Sequence, residues 1–315
     1  MSHGDRLIQA ALAATRNLSG QDVKTLLAGT TIIVSAPRSG SNLLFEMMAA
    51  VDGIWTIGGE SHGIYRAFPH LRAENARLDS GRLNEQHADT ETCRLWRAVF
   101  LYLLRDRQRR PLVAQPAGSG SATHRVLEKT PRNALNMPFL LKVFPQAKFI
   151  FLYRDPRACI ASLAEAWIAG LESGRFVTFQ DLPGWDRRAW CFLLPPGWRS
   201  LNGKSLLEIA AFQWKSSNSI ILDQLAHLSD DRWTAVDYAS LVRDPGRVRS
   251  KLGNFIGPEL GIDSGPLERL PLSRTTLTPP HPDKWKKYET ELAALLPSLA
   301  DLRQRMAGLV TAGPD

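Results

Sequence analysis

Cysteine is scarce in this sequence: Cys93, Cys159 and Cys191 are the whole complement, odd in number, far apart, and without a CxxC pair or a metal-like spacing to histidine. A disulfide framework and a zinc site are therefore not expected, and a reducing, cytoplasmic compartment is. Long apolar runs are missing too. No window approaches the ~18 uninterrupted apolar residues that a membrane span needs. The N-terminal stretch MSHGDRLIQAALAATRNLSG is interrupted by Gln9 and followed by Arg16 and Asn17, where a cleavable leader has small residues. It reads as an amphipathic helix. Internal repeats and long linkers are absent, and the low-complexity stretch 115–123 (QPAGSGSAT) reads as a surface loop. One domain spanning residues 1–315 is the economical expectation.

What is present is enough apolar material for a large core, 44% of 315 residues, and an excess of basic over acidic groups, 39 to 31, for a formal charge of +8. That balance favours polyanionic partners. Because arginine and lysine are scattered and form no basic tail, a nucleic-acid partner is not expected. Three β-branched or aromatic runs read as buried strands: 31–35 (TIIVS), 148–153 (KFIFLY) and 233–237 (WTAVD). Helical spacing runs over about 42–50, 83–107, 133–143, 156–169 and 206–227. Strands alternating with helices predict an α/β fold with a central, mostly parallel sheet, whose ligands bind beyond the carboxyl ends of the strands.

The turn after the first strand, APRSGSNLLFEMM, runs from Ala36 into a helix beginning near Asn42. Such a turn aims backbone amides and a helix N-terminus at an anion, with Gly40 permitting close approach and Arg38, Ser39 and Ser41 offering side-chain donors. A lysine directly after the second glycine, which a nucleoside triphosphatase P-loop requires, is absent, since Ser41 and Asn42 follow Gly40. A helix cap with a solvated arginine is the simpler alternative. The second turn, RDPRACIAS, sets Arg154 at a strand end, Asp155 as an N-cap, Pro156 at the first helical position and Ser162 two turns further on. Arg154 and Ser162 are positioned to share one phosphate, and capping plus a surface ion pair is again the alternative. Two such turns in one sheet suit a ligand with two separated anionic groups.

Taken together, these segments resemble the superfamily of sulfotransferases that use 3′-phosphoadenosine-5′-phosphosulfate (PAPS), in particular its bacterial members and the tyrosylprotein-type and β-hydroxyacyl-activating branches. Pro37–Asn42 (PRSGSN) is similar to the loop for the 5′-phosphosulfate, and Arg154 with Ser162 to the 3′-phosphate site. Arginine at position 38 replaces the lysine usual in cytosolic members. Further likeness lies in Glu60 within IGGESHG, Lys129 and Pro131 within LEKTPRN, and Tyr238 within VDYASLVRDP, while 274–287 corresponds to the region that closes over PAPS.

The resemblance implies a P-loop-like sulfotransferase fold, PAPS as co-substrate and no metal. It implies Arg38 and Lys129 at the bridging oxygen and sulfonate, and Pro37, Ser39, Gly40, Ser41 and Asn42 around the 5′-phosphate. Tyr238 then neighbours the nucleotide. An acceptor hydroxyl needs a base; Glu60 is the first candidate and His62 the second, while His124 reads as solvent-facing. The aromatic-rich segment 171–204, with Phe176, Phe179, Trp185, Trp190, Phe192 and Trp198, is too long for an idle connection. It reads either as an active-site lid or as a loop packing its own aromatics. A lid resembles the flap of the β-hydroxyacyl-activating enzymes and would imply an apolar hydroxyacyl acceptor, presented by an acyl carrier protein. A nucleotide-dependent kinase and a polyanion-binding module are the competing classes; acceptor identity and oligomeric state have no sequence signal.

Overall fold

A computed structural model describes residues 1–73, 79–114, 124–257, 270, 276–277 and 281–311. Its elements are α1 (His3–Thr15), α2 (Gly20–Leu27), β1 (Gly29–Val34), α3 (Ser41–Ala49), β2 (Ile54–Trp55), α4 (His62–Ala67), α5 (Thr90–Leu103), β3 (Arg125–Lys129), α6 (Met137–Val143), β4 (Lys148–Tyr153) and α7 (Pro156–Ser173). The chain continues through β5 (Val177–Gln180), β6 (Ala189–Cys191), α8 (Leu206–Leu225), β7 (Trp233–Asp237), α9 (Tyr238–Arg243), α10 (Pro245–Ile256), α11 (Glu289–Leu295) and α12 (Ala300–Thr311).

β2, β3, β1, β4 and β7 lie side by side in that order, every neighbouring pair parallel. This is the α/β sheet expected, with helices on both faces. The two-residue side-chain period of a strand explains how the core divides. Ile32 and Val34 of β1, Val126 of β3 and Phe149 and Phe151 of β4 face one apolar layer, which holds Trp96, Phe139, Trp167 and Trp214. Ile33, Leu127, Ile150 and Leu152, the alternate positions, face the other, with Leu44, Met48 and Leu252. Central strands buried on both faces have near-continuous apolar sequence, and that is why TIIVS and KFIFLY are legible.

β2 and β3 do not stand out in sequence, the first because it has two residues and the second because RVLEK carries charges that the fold nevertheless buries. The helix expected over 83–107 is shorter, Thr90–Leu103, because the Asp89 carboxylate caps it by accepting from Thr92 N at 2.7 Å. The helix expected over 133–143 is split: Pro131–Leu135 is a 3₁₀ turn, and Asn136 leaves helical backbone (φ −120°) before α6 begins. α7 outruns its expected end at 169 and stops at Gly174 in the left-handed region (φ 76°).

The N-terminal segment is the amphipathic helix expected, α1, which buries Ala11 and packs against α4 and α5. Stretch 115–123 lies outside the described residues. Within 171–204, β5 and β6 pair antiparallel, and the indoles of Trp185, Trp190 and Trp198 stack edge to face against one another and Trp167. Gln213 of α8 ties this hairpin down, donating to the Cys191 and Leu193 carbonyls at 2.9 Å each while accepting from Trp167 Nε1 at 2.8 Å. No described helix is long and apolar enough to cross a membrane. Cys93, Cys159 and Cys191 are free and buried.

Candidate active site

The carboxyl ends of β1, β3 and β4 open into one cavity of about 840 Å³. Its floor is the turn after β1, where the backbone is unusual at two positions: Arg38 takes φ 67° and Gly40 φ 99°. A non-glycine residue there is held by its surroundings against its own preference. Gly40 is needed for a second reason, since a Cβ at that position would lie 2.5 Å from the ring atoms Cδ2 and Cε2 of Tyr238. Ser39 is fully buried, its hydroxyl 3.6 Å from the Cys159 sulfur, whose thiol donates to the Pro37 carbonyl at 3.3 Å. α7 thus braces the loop from behind, and Ser41 and Asn42 open α3.

Arg154, at the end of β4, donates from Nη1 to the Arg38 carbonyl at 3.0 Å, and its guanidinium lies 4.4 Å from the centroid of the Tyr238 ring. Arg38 Nε in turn donates to the Ser162 hydroxyl at 3.4 Å. The two turns read from the sequence therefore meet, and Arg38, Arg154, Ser162 and Tyr238 line the same cavity. Asp155 caps α7 as expected, accepting from Arg157 N at 2.9 Å and Ala158 N at 3.3 Å. Burial lowers the Arg38 pKa and the positive charges of Arg154 and Arg175 push the same way, against the pull of Cys159 and Glu165. A cationic pair so placed favours an anion between its members.

Beside this pair, Lys129 reaches up from the end of β3. It is buried, and its ammonium donates to Glu60 Oε1 at 2.5 Å and to Asn42 Oδ1. Glu60 Oε2 is 2.9 Å from His62 Nε2. Burial pushes the Glu60 carboxyl up, but hydrogen bonds from His62 and Lys129, with their charges, prevail and hold it at about 2. An ionised Glu60 requires that His62 Nε2 carry the hydrogen; in the neutral ring Nδ1 is then the acceptor, and in the charged ring both nitrogens donate. Ser39 and Lys129 sit just behind the wall; the other residues expected at the site, Pro37, Arg38, Gly40, Ser41, Asn42, Glu60, His62, Arg154, Ser162 and Tyr238, line it. His124 is elsewhere, half-buried against the Trp55 ring before β3 begins, where burial lowers its pKa. Of 274–287, Thr276, Leu277, His281, Pro282, Lys284 and Trp285 reach the cavity, and the rest of its first seven positions lies outside the described residues.

Sequence reasoning missed Glu128. It is buried beside Lys129, its Oε1 accepting from the hydroxyls of Ser61 at 2.6 Å and Thr130 at 2.7 Å and its Oε2 from the Asn133 amide. The Ser61 backbone N–H donates to Thr130 Oγ1 at 2.7 Å. Burial raises the Glu128 pKa, with the hydroxyl hydrogen bonds and Lys129 pulling it down. This network fastens the segment carrying Glu60 and His62 to the end of β3. The signal was in RVLEK: a strand of a parallel sheet covered by helices on both faces has no solvent face, so adjacent Glu128 and Lys129 both require buried partners. The cavity also takes in apolar side chains of the 171–204 hairpin, Phe176, Phe179, Phe192, Leu193 and Leu194, with Phe176 and Phe192 stacked at 5.1 Å. Among the described residues no cluster of histidine, cysteine and carboxylate is placed to hold a metal ion.

The profile of the sulfotransferase family matches residues 31–193. No curated protein matches the chain. Similar solved structures include the sulfotransferase domain of the olefin synthase of Synechococcus PCC 7002, 22% identical over 82% of this chain and 86% of that one, TM-score 0.42. The sulfotransferase domain of the curacin biosynthetic pathway is 20% identical over 84% of this chain and 96% of its own, TM-score 0.40. A sulfotransferase of Alicyclobacillus acidocaldarius is 14% identical over 87% and 94%, TM-score 0.45. The profile covers more than half of the 315 residues and runs from β1 through the Glu60 and Lys129 segments to the end of β6, so the chain belongs to the sulfotransferase family.

Proposed function

We propose that this sulfotransferase takes its sulfonate from PAPS and passes it to the hydroxyl of an apolar acceptor, with a hydroxyacyl chain on a carrier protein among the candidates. The observation that carries the donor assignment is the meeting of Arg38 and Arg154 in one cleft. The fit to a 3′-phosphate and a 5′-phosphosulfate is supported by Arg154 Nε, a buried donor without a partner, and by the turn at Gly40, which packs so close to the Tyr238 ring that no Cβ fits. Arg154 and Ser162 hold the 3′-phosphate, the Pro37–Asn42 turn and the start of α3 hold the 5′-phosphate, and Tyr238 lies beside the nucleotide.

Sulfonate transfer needs in-line geometry and cations on the leaving oxygen more than it needs a covalent enzyme intermediate. Arg38 and Lys129 supply the cations. Lys129 also links donor and acceptor chemistry: its contact with Glu60 suppresses that carboxylate's basicity, and turning toward the leaving oxygen releases it. Glu60 then takes the acceptor proton. The 2.9 Å contact between His62 and Glu60 supports a second reading, in which His62 Nδ1 is the base and Glu60 orients the ring. A His62→Asn variant separates them, because it abolishes turnover if His62 is the base and largely spares it if Glu60 is.

We further read the chain as a single domain whose 171–204 segment serves as the acceptor-side lid, and the buried free cysteines as suited to the cytoplasm. Titration of the folded protein with 3′-phosphoadenosine-5′-phosphate (PAP) by calorimetry tests the donor assignment. Saturable binding is expected, and its absence at high micromolar nucleotide overturns it. Activity indifferent to a chelator separates this enzyme from a kinase, whose chemistry runs through Mg²⁺.

A further inference from the structure

Two phenylalanines at the open end of the hairpin have backbone that bulky residues rarely adopt, Phe176 at φ 68° and Phe192 at φ 66°. The Phe192 N–H donates to the Phe176 carbonyl at 3.0 Å, and the two rings stack with centroids 5.1 Å apart. α7 seats this end of the hairpin closely. A Cβ on Gly170 would lie 2.5 Å from the Cys191 sulfur and 2.7 Å from the Arg175 carbonyl, which belong to the residues just before the two phenylalanines. Strain of this kind persists only where the surroundings impose it, and it gathers at binding and active sites. Both phenylalanines line the cavity. The Arg38 guanidinium lies 5.5 Å from the centroid of the Phe176 ring, within the range of a cation–π contact, and that of the exposed Arg175 lies 4.9 Å from the same ring. Arg154, the other arginine of the cleft, has Tyr238 in the corresponding place at 4.4 Å.

Resting on the donor assignment above, we infer that Phe176 is a positioning residue for Arg38: its ring, carried by the hairpin, sets the guanidinium toward the leaving oxygen of the donor, and the strained pair with Phe192 holds the ring in place. The hydrogen bond from Arg38 Nε to the Ser162 hydroxyl is 3.4 Å long and constrains the guanidinium weakly. A carboxylate in the ring's position would orient Arg38 and also neutralise it. An aromatic ring attracts the cation through its quadrupole while accepting none of its N–H groups in ordinary hydrogen bonds, so orientation is gained and the charge is kept for an anion. The hairpin thereby serves the donor cation as well as the acceptor.

PAP keeps the leaving oxygen within its 5′-phosphate, so its affinity, measured by calorimetry with no acceptor present, reads the placement of Arg38. Phe176→Leu retains apolar bulk and the same backbone demand without the ring. It should bind PAP about three- to tenfold more weakly, the scale of a cation–π contact, whereas Phe176→Tyr, which keeps the ring, should stay within about twofold of wild type. Chemical denaturation without nucleotide locates the contact and checks folding: the stability lost in Phe176→Leu should shrink in an Arg38→Met background. Wild-type PAP affinity in Phe176→Leu, equal weakening in the leucine and tyrosine variants, or additive stability losses overturn the inference. These outcomes leave PAP binding by the wild type intact, and so leave the donor assignment standing. Absence of PAP binding by the wild type overturns that assignment and this inference with it.

Discussion

The two sides of the cavity are built on different principles. On the proposed donor side, each group except Ser162, which lies within α7, stands at a strand end or at the helix start after it, and the backbone does much of the positioning: the Arg38 and Gly40 turn, the capped start of α7, the contact of Arg154 with the Arg38 carbonyl. On the proposed acceptor side, Glu60 follows a two-residue strand and His62 opens a six-residue helix, and their segment is located by side-chain hydrogen bonds converging on Glu128. Backbone positioning tolerates substitution around it, whereas a side-chain network fails when one member changes. Mutations should therefore separate by side, into effects on nucleotide affinity and effects on turnover.

Glu60→Gln should produce the largest effect, a drop in kcat of about 10² to 10⁴, the usual worth of a general base, with PAP affinity nearly intact. A kcat close to wild type would rule out Glu60 both as the base and as the residue that orients His62. The same carboxylate contributes to acid stability: its folded pKa of about 2 lies below the ordinary 4.5, so its contribution is complete above about pH 4.5 and fades as pH falls toward 2. Chemical denaturation of wild type and Glu60→Gln should accordingly converge across that interval.

Arg154→Ala should weaken PAP binding by about 1.5 to 3 kcal/mol, the scale of hydrogen bonds to a charged partner, and leave the KM of the acceptor unchanged. If acceptor KM rises instead, the two sides are not separable. Gly40→Ala should cost about 1 to 3 kcal/mol of stability, because φ 99° and the Tyr238 ring both oppose a methyl group. Pairing it with Tyr238→Ala removes the collision but not the backbone cost, so a double-mutant cycle should show partial rescue. Glu128→Gln, the mildest, exchanges an acceptor oxygen for a donor beside the Ser61 and Thr130 hydroxyls or the Asn133 amide. It should lower kcat about tenfold, one lost hydrogen bond in a buried network, and spare PAP affinity. An equal loss in both would make Glu128 a general scaffold residue.

The same division governs what could be read in advance. TIIVS-APRSGSN and KFIFLY-RDPR are contiguous, so strand, turn, cap and cation lie within one window, and the structure joins them. Lys129 and Glu60 came forward through resemblance, since 69 residues separate two groups that end 2.5 Å apart. Glu128 was overlooked because a charged residue in a short strand ordinarily faces water, and only the strand order makes β3 internal. Arg66 and Arg132 are two among 39 basic residues until the fold brings both to the cavity. The 171–204 hairpin has tryptophans in place of a clear period, so its two strands had no pattern to announce them.

Those tryptophans carry a spectroscopic consequence. Trp167, Trp185, Trp190 and Trp198 form a chain of indoles with centroids 4.8 to 6.4 Å apart and planes steeply inclined, close enough for their electronic transitions to mix and give paired bands of opposite sign in circular dichroism. Trp285 stands apart, under the Arg157 guanidinium at the cavity wall. On the proposed assignment, the coupled bands of the indole chain would report the hairpin and a change at Trp285 the nucleotide, with no label attached.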